Sequence, residues 1–227
     1  MNNAETADEM RNSSSPLRVS LFDDIVANGI GIAFEQQAYS EGYRYVAGVD
    51  EVGRGCLAGP VVAAACILDI SKSLPTGIDD SKKLSAIKRE SITELIKANA
   101  ITYAIGEASA EEIDEINILE ATKLAMLRAI EQLSPSADYL LIDALSLKRP
   151  QLPQKAIIKG DTISASIAAA SIIAKTYRDR LMTDHDAEFP KYGFAGHKGY
   201  GAAVHLAALR EHGPCRLHRR SFRGVLS

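Results

Sequence analysis

The sequence of 227 residues contains little cysteine. Only Cys56, Cys66 and Cys215 occur, without a CxxC pair, so neither a disulfide framework nor a zinc cluster is indicated, and we expect a reducing, cytoplasmic environment. No apolar run approaches the ~18 residues that a membrane-spanning helix needs, and we expect no contact with a membrane. The first 16 residues are polar and include acids, which is not typical of a secretory signal.

Two nucleotide-binding motifs, G-x-G-x-x-G and G-x-x-x-x-G-K-[ST], are also missing, which argues against a nucleotide-binding switch. The net charge of −3 lacks the basic excess of proteins that coat nucleic acids, but the charge is unevenly distributed. Residues 1–147 hold 12 basic and 23 acidic side chains, whereas residues 148–227 hold 14 basic and six acidic ones and all five histidines. We therefore predict an anionic partner for the C-terminal third; mutual neutralisation of two faces of one domain is the alternative.

The patterning of apolar residues predicts an α/β domain with a mixed sheet. Residues 1–20 are rich in Asn, Ser, Glu and Ala and are predicted to be disordered, which leaves 21–227 as a single domain. Five β-rich runs are predicted strands: 43–49, 61–68, 101–109, 138–145 and 155–160. Five segments with helical spacing are predicted helices: 22–43, 81–100, 109–133, 161–182 and 197–213. The first two strands should pair as a hairpin-like unit, and the Ala- and Ser-rich helix 161–182 can lie close against the sheet.

Two adjacent acids, Asp50 and Glu51, follow the first predicted strand. Neighbouring residues on a strand point to opposite faces, so both can serve one site only if the strand ends or bulges there. Gly53 and Gly55 supply the backbone freedom for such a change. A turn with two solvated acids is the alternative.

Two further acids stand at the ends of other strands. Asp143 closes the apolar run 138–145, and ligands of open α/β sheets gather outside the carboxyl ends of strands; a turn-starting Asp is the alternative. Asp161 follows the last strand; an N-cap of the next helix, without any chemistry, is the alternative for it, although one carboxylate could fill both roles. Gathered together, these carboxylates would raise each other's pKa values unless a cation joined them.

The chemistry of such an acidic group depends on the cation. Ligand sets made only of oxygen atoms favour magnesium or manganese over zinc, and these ions typically act on phosphate esters. In a two-ion arrangement, one ion activates water and the other stabilises the leaving oxygen. A glycosidase also uses paired acids, but the basic C-terminal third gives that alternative little support.

Five motifs in register cover residues from about 40 to 223: "AGVDEVGRGCLAGPVVAAACIL", "DDSKKLS", "LLIDAL", "IIKGD…SASIAAASIIAKTYRDR" and "HKGYG…HLAALREHGP…LHRRSF". Together they closely resemble bacterial ribonuclease HII, a type 2 ribonuclease H. The resemblance implies a ribonuclease H-like fold, with a mixed five-stranded sheet flanked by helices and a C-terminal helical segment. It also implies endonucleolytic cleavage of RNA in RNA–DNA hybrids and incision 5′ of single ribonucleotides in duplex DNA, which leaves 3′-hydroxyl and 5′-phosphate ends and serves ribonucleotide excision and primer removal.

The resemblance also implies a set of site residues. The metal-binding carboxylates correspond to Asp50, Glu51, Asp143 and Asp161, which would hold Mg²⁺ or Mn²⁺, two ions in the substrate complex. The substrate-binding residues correspond to Gly53, Arg54 and Gly55, whose main chain meets the ribose 2′-hydroxyl, and to Tyr200, Lys82 and Lys198. Tyr200 packs on the sugar beside the scissile phosphate in the family, and the two lysines are candidate phosphate contacts.

Some features of the sequence leave alternatives open. Tyr200 taken alone could be an ordinary surface or core residue, and lone lysines are usually solvated. Val52 and Cys56 stand where the family often has Ala and Pro, and we interpret Cys56 as a loop thiol and not as a nucleophile. A catalytically silent hybrid-binding module is the alternative function, and a monomer is the expected state.

Overall fold

The computed structural model describes residues 30–72 and 85–226. The strands are β1 (Val46–Val52), β2 (Val61–Leu68), β3 (Ala100–Ala108), β4 (Tyr139–Asp143) and β5 (Gln154–Ile157). The helices are α1 (Ala33–Ser40), α2 (Ala86–Asn99), α3 (Ala110–Glu131), α4 (Ala165–Glu188), α5 (Phe194–His197) and α6 (Ala203–His212), with a 3₁₀ turn at Gly160–Thr162. The predicted α/β class with a five-stranded mixed sheet is confirmed. The predicted disorder of residues 1–20 lies outside the described residues, and the single domain over 21–227 stays a prediction.

The order of the strands brings three strand ends to one edge of the sheet. The order is β3-β2-β1-β4-β5, with β1 and β2 antiparallel, as the predicted hairpin-like unit requires, and with β1, β4 and β5 mutually parallel. Gly48 pairs with Leu141 and Val49 with Ile142, so the next step of this register sets Asp50 beside Asp143. Parallel strands end on the same side, and acids at their carboxyl ends therefore meet there.

Helices cover both faces of the sheet. Helix α3 packs on one face through a cluster that includes Val49, Ile142 and Met126, all buried. Helix α4 packs on the other face, where a Cβ on Gly48 would lie only 2.1 Å from the main-chain carbon of Ser166. The predicted close approach of the small-residue helix is therefore confirmed, and it needs glycine at this position of β1.

Several predicted helix ends are wrong. Helix α4 begins after Ser164, whose side chain accepts a hydrogen bond from the main-chain N–H of Ile167, so Asp161 is not its N-cap. The predicted helix 197–213 is divided, because Lys198 and Gly199 have φ angles of +54° and +86°, which an α-helix cannot accommodate. Helix α2 begins after Ser85, and residues 81–84 of its predicted range lie outside the described residues. None of the described helices is both long and apolar enough to cross a membrane.

Candidate active site

The four predicted acids lie together at the edge where β1 and β4 end. Asp50, Glu51, Asp143 and Asp161 all line one cavity of about 590 Å³. Strand β1 carries the first two acids, β4 ends at the third, and the 3₁₀ turn after β5 carries the fourth. Four residues from three parts of the chain thus face one space, which we call the acidic cluster.

The adjacent acids share this cavity without any irregularity of the strand. Strand β1 runs on to Val52 in unbroken register with β2, since Asp50 pairs with Ala64 and Glu51 with Ala63. Of the two predicted alternatives, the bulge is absent, whereas the strand does end directly after these acids, at Val52. Side chains of neighbouring strand residues leave opposite faces, and both acids line the cavity because it lies at the end of the sheet.

Asp50 is a buried acid with a strongly raised pKa. Its side chain is buried, with 5% of the residue exposed. Burial raises the pKa of Asp50 well above its ordinary value, and the nearby charges of Glu51 and Asp143 raise it further. Hydrogen bonds from Ser171 and from the main-chain N–H of Glu51, 2.7 Å from Oδ1, act in the opposite direction. The balance favours a proton or a cation beside this carboxylate.

Glu51 leaves one of its oxygens unsatisfied. Its Oε1 accepts a hydrogen bond of 3.2 Å from Nη1 of Arg54, but its buried Oε2 has no hydrogen-bond partner in the described part of the chain. Burial raises the pKa of Glu51, and the charge of Arg54 opposes that rise. A buried acceptor without a donor is costly, so this oxygen needs a ligand from outside the described protein atoms.

The other two acids are joined through the main chain. Oδ1 of Asp143 accepts a hydrogen bond of 2.8 Å from the N–H of Gly160, which connects the end of β4 to the turn that carries Asp161. Ala144, which follows Asp143, and Lys159, two residues before Asp161, have φ angles of +50° and +56°. Left-handed backbone at residues other than glycine is strained, and such strain concentrates at functional sites.

The donor set fits a hard divalent cation. It consists of carboxylate oxygens, one of which is buried and lacks a hydrogen-bond partner, and such oxygen ligands suit magnesium and manganese. Among residues 30–72 and 85–226, however, no three Asp, Glu, His or Cys side chains are already arranged to hold a metal ion. Side chains of the acidic cluster would therefore have to rotate on binding, for example Glu51 away from Arg54.

The Gly53–Gly55 segment forms the adjoining wall of the cavity. Gly53 has a φ of +92°, and a Cβ there would lie 2.3 Å from Nε of Arg178, so this position requires glycine. A Cβ on Gly55 would meet nothing within 4 Å. The first glycine is thus required by the protein itself, whereas the second leaves open space toward the cavity.

The remaining predicted contacts are placed differently from one another. Tyr200 lines the same cavity and is 43% exposed. Lys198 lines a neighbouring cavity instead, and its Nζ donates a hydrogen bond of 2.7 Å to Oγ1 of Thr183. Lys82 lies outside the described residues. The roles of these residues, like those of the acids, stay predictions.

The sequence reasoning missed three side chains that line the cavity, Arg89, Ser171 and Lys175. Asp179 joins two of them, since its carboxylate lies 2.6 Å from Nζ of Lys175 and 2.9 Å from Nη1 of Arg89. Ser171, Lys175 and Asp179 recur every four residues on α4, which places them on one face of that helix. This polar stripe in an Ala- and Ile-rich helix was the available signal; Arg89 had no comparable one.

Comparison with known proteins gives a consistent result. The family model described as Ribonuclease HII matches residues 47–225 of the chain. A protein of Syntrophotalea carbinolica named Ribonuclease HII is 57% identical over 192 residues, which are 85% of this chain and 91% of the relative.

Solved structures are similar as well. The ribonuclease H2 of Pyrococcus horikoshii OT3 superposes with a TM-score of 0.68 at 25% identity, over 80% of this chain and 95% of that one. A Bst-RNase HIII solved in complex with Mn²⁺ superposes with a TM-score of 0.62 at 20% identity, over 83% of this chain and 70% of that one. The second similarity supports the fold alone.

Proposed function

This chain belongs to the ribonuclease HII family, and we propose that it incises duplex DNA on the 5′ side of a single embedded ribonucleotide. Family membership makes it a ribonuclease H, an endonuclease that acts on the RNA of RNA–DNA hybrids. The proposal adds the junction specificity, the 3′-hydroxyl and 5′-phosphate ends, and a role in ribonucleotide excision and primer removal. It also includes a cytoplasmic location and a monomeric state.

The observation that carries the proposal is the incomplete acidic cluster. Its members lie at one edge of the sheet around a cavity, and Oε2 of Glu51 is buried without a hydrogen-bond partner in the described protein. Divalent cations satisfy such groups, and a phosphodiester brings further oxygens to them. We propose Mg²⁺ or Mn²⁺ as the cofactor, with two ions in the substrate complex.

The four acids divide into two groups in this proposal. Asp50, Glu51 and Asp143 hold the metal, and Asp161 completes the site as a ligand or by orienting water. When bound, the divalent ion supplies a Lewis acid for phosphodiester oxygens and makes water nucleophilic at neutral pH. The main chain orients two of these carboxylates: the N–H of Glu51 donates to Oδ1 of Asp50, and the N–H of Gly160 donates to Oδ1 of Asp143.

The Gly53–Gly55 segment supplies the selectivity for RNA. The 2′-hydroxyl distinguishes a ribonucleotide from a deoxyribonucleotide, and the open space over Gly55 lets a sugar approach the main chain. Tyr200 packs against that sugar in this proposal, which its position on the same cavity and its partial exposure support. Lys198 and Lys82 are the proposed phosphate contacts.

The deciding experiment is cleavage of a DNA duplex with one embedded ribonucleotide, with Mg²⁺ and with EDTA. We expect a single cut on the 5′ side of the ribonucleotide, mapped by end-labelling, and none with EDTA. A catalytically silent hybrid-binding module would retain the duplex in a gel-shift assay without cutting it. Binding without cleavage under both conditions would therefore overturn the proposal.

A further inference from the structure

Two arginines are buried behind the loop that forms one wall of the cavity. Arg178 of α4 and Arg219 of the C-terminal segment are both 0% exposed. Each hydrogen bond that the structure gives their guanidinium groups ends on a main-chain carbonyl. Most of these carbonyls belong to residues 53–60, and we call residues 53–59 the recognition loop.

Arg219 joins the two ends of the recognition loop. Its Nη2 donates to the carbonyls of Gly53, at 2.7 Å, and Gly59, at 2.9 Å, while Nη1 donates to that of Arg54, at 2.9 Å. Its Nε also donates to Gly59, at 3.0 Å. The planar guanidinium has its donors in a fixed fork, so the group sets the relative positions of these three peptides.

Arg178 connects the same loop to the segment before Tyr200. Its Nη2 and Nε donate to the carbonyls of Ala58 and Pro60, at 3.1 and 3.0 Å. Its Nη1 donates to the carbonyl of Lys198, at 2.8 Å. The two walls of the cavity that are proposed to meet the sugar are thus held by one side chain.

The direction of these contacts determines what the recognition loop presents to the cavity. In a trans peptide, the C=O and the following N–H lie in one plane and point in opposite directions. Because the carbonyls of Gly53 and Arg54 point inward to Arg219, the N–H groups of Arg54 and Gly55 point away from it. Two successive outward N–H groups form a concave donor surface for an oxygen.

Stability alone does not account for two buried cations at this place. Desolvating a charge is costly, and an apolar replacement of similar volume is often equally stable or more stable. Burial, with the nearby charge of Arg178, lowers the pKa of Arg219 to about 10, so Arg219 is still charged at neutral pH. The cost is offset by several charge-assisted hydrogen bonds with defined geometry, which points to positioning.

We propose that Arg219 and Arg178 are positioning residues, which hold the recognition loop so that the N–H groups of Arg54 and Gly55 meet the ribose 2′-oxygen. The identity of that ligand rests on the proposed function. Neither arginine touches the substrate; both act through the main chain of the loop.

The test compares two substrates in Arg219→Lys, which keeps the charge but loses the fork. One duplex carries a single ribonucleotide, and the other carries 2′-fluoro at that sugar, a much weaker acceptor. We expect the kcat/KM for the ribonucleotide duplex, divided by that for the 2′-fluoro duplex, to fall about tenfold in the variant, as the loss of one good hydrogen bond implies. Arg178→Lys should lower the ratio in the same direction, which provides a second variant if Arg219→Lys folds poorly.

The matched control is Arg216→Lys, because Arg216 is exposed and its guanidinium is paired with Glu188 at 2.6 Å. In Arg216→Lys, the ratio of kcat/KM on the ribonucleotide duplex to that on the 2′-fluoro duplex should equal that of the wild type. A merely structural role of Arg219 would lower both rates equally, so an unchanged ratio in Arg219→Lys overturns the proposal.

A second measurement does not depend on cleavage. Amide hydrogen exchange should accelerate about tenfold or more at residues 56–59 of Arg219→Lys, whose N–H groups donate to the carbonyls of Gly53, Gly199 and Leu217, while β1 and β2 keep their protection. Unchanged exchange in the loop overturns the proposal whatever the activity. Failure of the proposed function would be seen separately, as a wild-type protein that leaves the ribonucleotide duplex uncut.

Discussion

The acidic cluster lies next to a second charged region, Arg178 and Arg219 behind the recognition loop, which we call the basic interior. The two regions differ in whether the protein itself satisfies their polar groups. In the acidic cluster, burial and the nearby like charges raise the pKa of Asp50, and an oxygen of Glu51 is buried without a hydrogen-bond partner in the described protein. In the basic interior, Arg178 and Arg219 donate to main-chain carbonyls with both side chains fully buried. The acidic cluster requires a ligand from outside the protein, whereas the donors of the basic interior are paired with acceptors of the protein itself.

The histidines beside these arginines are satisfied in the same way. The N–H of Cys215 donates to Nδ1 of His218, at 3.0 Å, and the carbonyl of Tyr200 accepts from Nδ1 of His205, at 2.8 Å. Since the first contact requires an acceptor and the second a donor, Nε2 of His218 must donate to Nε2 of His205, at 3.0 Å. Both rings are therefore neutral with fixed tautomers.

This comparison shows where a ligand belongs. A buried oxygen without a hydrogen-bond partner marks the place where a cation and its substrate bind. A cluster of charged side chains whose hydrogen bonds end within the protein supports the fold instead. It also limits the argument from charge: the basic excess of residues 148–227 includes Arg178 and Arg219, which are buried and cannot meet an anion directly. The positive charge of a segment is thus not the charge of its surface.

The largest expected effect comes from the acidic cluster. Asp50→Asn or Asp143→Asn should lower the cleavage rate on a single-ribonucleotide duplex by roughly 10³-fold or more, because a bound metal supplies several kcal/mol of charge stabilisation. Steady-state kinetics in Mg²⁺ measure the effect. Asp69→Asn is the matched control, since Asp69 follows β2 at the opposite end of the sheet. Activity retained in either cluster variant would show that these carboxylates do not hold the metal.

The two glycines of the recognition loop are close in the chain, but their substitution should affect stability and cleavage differently. Gly53→Ala should lower the free energy of unfolding by about 2–3 kcal/mol, because its Cβ would collide with Arg178 at a φ of +92°. Gly55→Ala should change it by less than about 1 kcal/mol, since a Cβ meets nothing there, yet it should lower cleavage by filling the space over the main chain. Urea unfolding and kinetics on both variants test this contrast, and similar unfolding energies would contradict it.

The sequence predicts the acidic cluster better than the basic interior. Asp143 ends an apolar run and Asp50 ends another, and a charge at a strand end is visible in the pattern of a few residues. The parallel pairing of β1 with β4 then brings them together. Local pattern and the general rule for strand ends are sufficient here, since β1 ends directly after the two acids, without a bulge.

The burial of Arg178 and Arg219 cannot be predicted in this way. Each stands among other basic residues, in "TYRDR" and "LHRRSF", and nothing in either motif marks the one that turns inward. Apart from the carbonyl of Lys198, the partners are carbonyls more than 100 positions away in the chain, which only the tertiary structure brings close. For the same reason the unpartnered oxygen of Glu51 is known only from the packing around it.

A smaller effect is expected on the stability of the metal-free protein. Asp50→Asn removes a buried charge from a cluster of like charges, so it should raise the free energy of unfolding by about 1–2 kcal/mol in EDTA. Mg²⁺ should raise the melting temperature of the wild type and leave that of the variant almost unchanged. Calorimetry with and without Mg²⁺ measures both. A variant less stable than the wild type in EDTA would contradict the view of the acidic cluster as incomplete.

The smallest expected effect is the contribution of His218, beside Arg219, to the pH dependence of folding stability. This contribution grows as the pH rises, whereas that of Asp50 grows as the pH falls. Burial, with the neighbouring His205, lowers the pKa of His218 from an ordinary 6.5 to about 4. The unfolded chain therefore binds more protons between these values, so the stabilising contribution is complete above pH 6.5 and is lost as the pH falls toward 4.

We expect His218→Gln, measured by urea unfolding, to remove about 1 kcal/mol of the stability change between pH 7 and 5.5. The difference between variant and wild type at each pH cancels the contribution of Asp50, whose raised pKa favours folding as the pH falls. His212→Gln is the control, and a profile of His218→Gln parallel to that of the wild type would show that this ring is not held neutral.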